Sequence, residues 1–134
     1  MAQGTETILL VEDDETVRGV IHEVLQSYGY QVLVAAHGDA ALSVCESLPK
    51  TVDLLLTDVV MPRMSGRELA NRLAALRPEM KVLLMSGYAA DAIVHYGVLD
   101  ADTPFIQKPF APDALARKVR NVLDGHGKPQ EQRK

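Results

Sequence analysis

The stretch Leu54-Leu55-Leu56-Thr57-Asp58 constrains this chain most. Three leucines and a threonine in succession leave no polar face. A strand of that kind is covered on both sides, which is the situation of a strand inside a parallel sheet. The apolar run ends on a carboxylate, so Asp58 is expected at the C-terminal rim of the sheet, where open α/β folds place ligands. Pro62 cannot donate to a ladder, so regular pairing stops before it. Ser65 suits the N-cap of a following helix, and Gly66 allows a tight turn there. Asp58 is thus a candidate reactive carboxylate on a rigid strand end; taken alone, a strand-end aspartate is more often a loop residue capping a turn, and other parts of the sequence reverse that balance.

The rest of the chain alternates in the same way. Short apolar runs at Thr7–Val11, Tyr30–Ala35, Val52–Thr57, Lys81–Met85 and Phe105–Gln107 read as strands. Between them lie segments with apolar residues at helical spacing. Glu15–Ser27 carries Val17, Val20, Ile21, Val24 and Leu25 on one face. Asp39–Leu48 carries Ala40, Ala41, Val44 and Leu48. Ser65–Leu76 carries Leu69, Leu73 and Leu76. Ala89–Tyr96 is a weaker helical segment, and Pro112–Leu123 is the last helix, with proline in its first turn. Strands alternating with helices predict an α/β fold, with a parallel sheet and helices on both faces. The expected architecture is a flavodoxin-like, doubly wound, five-stranded parallel sheet in order 2-1-3-4-5, with five helices on two faces. Residues 1–6 read as a flexible lead-in, residues 7–124 as one domain, and residues 125–134 as a polar tail or linker.

That strand order creates a switch point between strands one and three. It brings Glu12 and Asp13, at the end of the first strand, beside Asp58 at the end of the third. Ser86 and Lys108 end strands four and five on the same rim. Crowded carboxylates repel, so either a pKa rises or a cation arrives. Hard oxygen ligands with no histidine or cysteine set favour Mg²⁺. A carboxylate in such a site can attack phosphorus and form an acyl phosphate, with an ammonium and a hydroxyl stabilising the transferring group. The parts are a nucleophile (Asp58), metal carboxylates (Glu12, Asp13), a hydroxyl (Ser86) and an ammonium (Lys108). Asp14 and Glu15 read instead as helix N-terminal charges.

Composition narrows the function classes. The 134 residues suit one domain, and 47% hydrophobic content suffices for a core. The net charge is −4 without a basic stripe, and tryptophan is absent; neither favours direct nucleic-acid binding. The single cysteine, Cys45, forms no internal disulfide and reads as a small core or boundary residue. The apolar runs fall short of the ~20 residues that span a bilayer, and Met1–Glu6 is not a signal peptide. A cytoplasmic setting without membrane contact is expected. His22, His37, His95 and His126 are scattered without ligand spacing. Arg117, Lys118 and Arg120 read as a solvated helix face.

Ile8-Leu9-Leu10-Val11-Glu12-Asp13-Asp14, Thr57-Asp58-Val59-Val60-Met61-Pro62 with Ser65-Gly66, Met85-Ser86-Gly87, and Phe105 with Lys108-Pro109-Phe110 together resemble the receiver domain of two-component response regulators. The resemblance covers about Thr7 to Leu123. It implies that Asp58 accepts a phosphoryl group from the phosphohistidine of a histidine kinase. It implies Mg²⁺ held by Asp13, Asp58 and the backbone carbonyl of Val60, with Glu12 acting directly or through water. It implies that Ser86 and Phe105 form a coupled switch, and that Lys108-Pro109 can be cis. Glu12 stands where the family often has aspartate, and Ser86 and Phe105 replace threonine and tyrosine while keeping a hydroxyl and a ring. Val60 and Tyr88 occupy positions that flank the phosphoryl group, and an apolar Val60 predicts slow self-hydrolysis. The lead-in and the Leu55–Gly66 region resemble receivers of hybrid histidine kinases. The implied partner is a histidine kinase or phosphotransfer protein, including the kinase portion of the same hybrid chain; a stand-alone regulator fits as well. The output is expected to be a protein contact through the Ala89–Tyr96 helix, the fifth strand and the last helix.

Rival readings meet specific obstacles. A haloacid-dehalogenase-like phosphatase calls for a second aspartate where Val60 stands. A flavin-binding domain calls for a phosphate-cradling loop where Glu12-Asp13-Asp14 repels phosphate. A degenerate, phosphate-independent receiver does not explain why every acidic and switch position is kept.

Overall fold

In a computed structural model, residues 3–47, 51–87 and 103–125 are described. Five strands run parallel: β1 (Thr7–Val11), β2 (Gln31–Ala35), β3 (Leu54–Asp58), β4 (Lys81–Ser86) and β5 (Phe105–Gln107). The sheet order is β2-β1-β3-β4-β5, the order expected of the doubly wound fold. Four helices lie among the described residues: α1 (Glu15–Ser27), α2 (Gly38–Ser47), α3 (Gly66–Leu76) and α4 (Pro112–Leu123). The helix expected over Ala89–Tyr96 lies outside the described residues, so the fifth helix of the expected architecture is not part of this description. None of the described helices is long and apolar enough to cross a membrane.

The pleat explains the unbroken apolar strands. Successive side chains point to opposite faces, and both faces of β1 and β3 are covered. Ile8, Leu10, Leu54 and Leu56 pack with Ile21 and Leu25 of α1 and with Leu115 and Val119 of α4. Leu9, Val11 and Leu55 pack with Ala41 and Cys45 of α2 and with Leu69 and Leu73 of α3. Cys45 is therefore a core residue. Each of these leucines contributes roughly 1.5–3 kcal/mol by leaving water. The two cores hold β3 at the centre of the molecule, and its C-terminal residue inherits that rigidity.

Helix ends follow local chemistry. The Asp14 side chain caps α1 by accepting from the Val17 amide at 3.0 Å. Ser65 caps α3 by accepting from the Glu68 amide at 3.1 Å. Gly29, with φ 102°, turns the chain out of the α1 end into β2.

Three expectations about faces are corrected. Val20 is 56% exposed, at the edge of the α1 stripe, where it lines an open groove with Pro109 and Phe110. Leu76 is 55% exposed at the last turn of α3, where the next residue, Arg77, instead reaches the Cys45 carbonyl at 2.8 Å. Arg120 is not part of a solvated face. Its guanidinium binds Glu6, Asp124 and the Gln3 carbonyl.

Candidate functional site: an acidic cleft at the C-terminal rim

Each rim residue is placed by the strand it terminates. Glu12 follows β1, and its amide donates to the Ala35 carbonyl at 3.2 Å. Asp58 is the last residue of β3, in register with Met85 of β4. Ser86 ends β4 opposite Gln107 of β5. Lys108 follows β5, its amide donating to the Ser86 carbonyl at 2.7 Å, and the Lys108–Pro109 peptide is cis. Glu12, Asp58 and Ser86 are buried, whereas Asp13 is exposed.

The turn after Asp58 folds back onto the strand. The Val59 amide donates to the Met85 carbonyl at 2.9 Å, and the Gly66 amide donates to the Val59 carbonyl at 2.8 Å. Gly66 is needed for closeness rather than for an unusual turn: a Cβ there would run into the Asp58 carbonyl. The left-handed residue of this loop is Arg63, with φ 69°.

Lys108 joins the two buried carboxylates. Its Nζ lies 2.7 Å from Glu12 Oε1 and 2.6 Å from Asp58 Oδ1. One ammonium between two buried acids does not neutralise both. Burial, together with the adjoining Glu12, pushes the Asp58 carboxyl up to about 7. Burial works against charge on Glu12 too, but hydrogen bonds from Asp58 and Lys108 outweigh it and keep Glu12 below the ordinary glutamate value. Burial likewise opposes charge on Lys108, and its two carboxylate partners reverse that and hold it above the usual lysine value. Burial and crowding thus favour the protonated form of Asp58 more than in an ordinary aspartate.

Carboxylate oxygens of Glu12, Asp13 and Asp58 lie within 4.8 Å of one another. They border a cleft of about 150 Å³ that is also lined by Val60, Met85, Ser86, Gly87 and Lys108. An all-oxygen, net-negative donor set of this size fits a hard divalent cation. Val60 is 63% exposed at the cleft. Phe105 does not line it; its ring packs against Val59 and Leu84, behind the rim. Tyr88 lies outside the described residues. Sequence reasoning brought the rim residues together but missed Arg18, whose guanidinium donates to the Glu12 carbonyl at 2.8 Å. Its signal was positional only: a cation one turn into the helix that follows an acidic triplet.

The doubly wound parallel sheet is that of a family of two-component signalling domains. Residues 8–120 match the response regulator receiver domain family, and the chain belongs to it. It is similar to the sensor kinase CckA of Brucella abortus, 42% identical over 90% of this chain but only 13% of that protein's length. It is also similar to the response regulator receiver protein CpdR of the same organism, 36% identical over 87% of this chain and 95% of the relative. Among solved structures, the receiver domain of the hybrid histidine kinase CckA superposes with a TM-score of 0.73 at 34% identity, covering 87% of this chain and 98% of that one. A CheY-like receiver from Methanospirillum hungatei superposes with a TM-score of 0.76 at 31% identity, covering 92% and 97%. This is a receiver domain of the type found in two-component response regulators and hybrid kinases.

Proposed function

We propose that Asp58 is the phosphoacceptor, taking its phosphoryl group from the phosphohistidine of a histidine kinase or phosphotransfer protein. The observation that carries this is the Lys108 ammonium set between Asp58 and Glu12 at the end of a buried, doubly covered strand. A carboxylate oxygen of Asp58 attacks phosphorus, the phosphorus–nitrogen bond breaks, and its electron pair returns to the imidazole. The product is an acyl phosphate on Asp58. Lys108 moves from pairing two carboxylates to pairing a phosphoryl oxygen, and the Ser86 hydroxyl donates to another. Glu12, Asp13, Asp58 and the Val60 backbone carbonyl are the proposed ligands of Mg²⁺. When bound, Mg²⁺ offsets the carboxylate charge and that of the transferring oxygens.

Phosphorylation draws Ser86 toward the site, and Phe105, packed on Val59 and Leu84 behind it, responds. The output is a protein contact through β5, α4 and the 89–96 segment. The role is that of a phosphoacceptor rather than a turnover enzyme, without direct nucleic-acid or membrane binding. The domain occupies residues 7–124 in a cytoplasmic setting, and its kinase partner includes the kinase portion of a hybrid chain. The apolar Val60 at the cleft offers no hydrogen bond to an attacking water and favours a long-lived phosphoryl group.

The test is incubation with acetyl phosphate and Mg²⁺ followed by intact mass. Wild type gains one phosphoryl group only when Mg²⁺ is present, and Asp58→Asn gains none. An adduct that survives in Asp58→Asn contradicts the assignment. Wild type that neither forms an adduct nor binds beryllofluoride points to a phosphate-independent interaction module.

A further inference from the structure

We propose that Arg18 is a positioning residue for the acidic cleft: it fixes the Glu12-Asp13-Asp14 turn so that its carboxylates are already placed for a divalent cation. This rests on the reading of the cleft as a Mg²⁺-dependent phosphoacceptor site. The turn carries three adjacent acids, which favour spreading apart. Four hydrogen bonds order it, three of them to α1 and one within the turn itself. Arg18 Nη1 donates to the Glu12 carbonyl at 2.8 Å, and the Arg18 amide donates to the Asp14 carbonyl at 2.8 Å. The Asp14 amide donates to Glu12 Oε2 at 3.1 Å, and the Val17 amide donates to Asp14 Oδ1 at 3.0 Å. The last two depend on the acids themselves. The Arg18 side chain supplies the one bond of the four that comes from a cation.

The choice of atom matters. Arg18 binds a main-chain carbonyl of the turn, so its hydrogen bond leaves the Glu12 carboxylate to Lys108. The guanidinium thus orders the turn without competing at the metal-facing oxygens. A metal site whose outer partners are removed loses affinity because its ligands must be ordered anew on binding. Charge alone predicts the reverse, since deleting a nearby positive group draws a cation more tightly. The two effects have opposite signs, and a substitution separates them.

Arg18→Met keeps the aliphatic stem and removes the donor and the charge; Arg18→Lys keeps a cationic donor. Both are made in the full chain. Mg²⁺ is titrated against backbone amide shifts, and amide exchange at Asp14 and Val17 is followed in metal-free protein. Arg18→Met is expected to weaken Mg²⁺ binding about three- to tenfold, at or below the low end for outer-shell partners. It is also expected to speed exchange at both amides, with Arg18→Lys falling between Arg18→Met and wild type. Mg²⁺ binding in Arg18→Met that equals or exceeds wild type overturns the proposal, as does unchanged exchange. A variant that only melts earlier, with its Mg²⁺ affinity intact, shows a merely structural role and overturns it too. If wild type binds no Mg²⁺, the reading of the cleft fails, and the metal-free exchange still decides whether Arg18 orders the turn.

Discussion

Two ion clusters sit at opposite ends of the sheet, and each sets one cation against two carboxylates. At the C-terminal rim, Lys108 serves Glu12 and Asp58. At the base, Arg120 serves Glu6 at 2.6 Å and Asp124 at 3.0 Å, while also reaching the Gln3 carbonyl at 3.0 Å. The charge count is the same and the outcome differs. The planar guanidinium gives each partner its own N–H donors. Its hydrogen bond holds Glu6 below the ordinary glutamate range. At the rim the acids are buried and adjoin one another, and Asp58 is driven up to about 7. Burial and crowding, rather than composition, separate a clasp from a site. The base ties the residues before β1 to the end of α4. The rim holds two buried acids that one ammonium does not fully neutralise, an arrangement that a divalent cation can relieve.

Substitutions at each cluster break or sharpen that contrast. The largest effect is expected from Lys108→Met, which leaves Glu12 and Asp58 buried without a cation. Metal-free protein at alkaline pH should lose about 2–3 kcal/mol in denaturant unfolding, less than a fully buried pair because Lys108 keeps 26% exposure. Added Mg²⁺ should restore part of the loss. Gly66→Ala comes next. The new methyl group meets the Asp58 carbonyl, so a loss of about 2 kcal/mol is expected, together with weaker Mg²⁺ binding. Arg120→Met should cost only about 1 kcal/mol, since the base cluster is partly solvated, and should leave the Mg²⁺ affinity of the rim unchanged. If Arg120→Met proves as costly as Lys108→Met, the two clusters are equivalent and the contrast fails.

Much of this was legible in the sequence, for identifiable reasons. The run Leu54–Leu56 has no polar face because both sides of β3 are packed, and that one fact implied the layered sheet. The bounds of β1, α1, β5 and α4 coincide with the expected ones, since each is framed by a charged residue, a glycine or a proline. Other features were not legible. β3 extends to include Asp58 and β4 to include Ser86, because pairing with Met85 and Gln107 continues to the rim. A period of 3.6 cannot tell how far a neighbour covers a helix, so Val20 and Leu76 were assigned inward. Spacing within α4 could not reveal Arg120's partners, because Glu6 lies 114 residues away in the chain. The Arg18 contact was hidden for a different reason: it is local, six residues along, but it goes to a main-chain carbonyl, which side-chain patterning does not register.

The central claim is that Asp58 and Glu12 form a crowded pair that a divalent cation relieves. The most direct measurement is the melting midpoint of wild type and Asp58→Asn between about pH 5 and pH 8, with and without Mg²⁺. An unfolded aspartate titrates near 3.9, so the folded protein holds an extra proton on Asp58 until about pH 7. That contribution is fully present below the unfolded value and is lost as pH rises through the folded one. Glu12, shifted the other way, contributes stability that disappears only at more acidic pH. Without Mg²⁺, wild type should lose stability relative to Asp58→Asn as pH rises from 5 to 8; with Mg²⁺, that gap should close at the alkaline end. Parallel pH profiles for the two proteins, unmoved by Mg²⁺, would contradict the account.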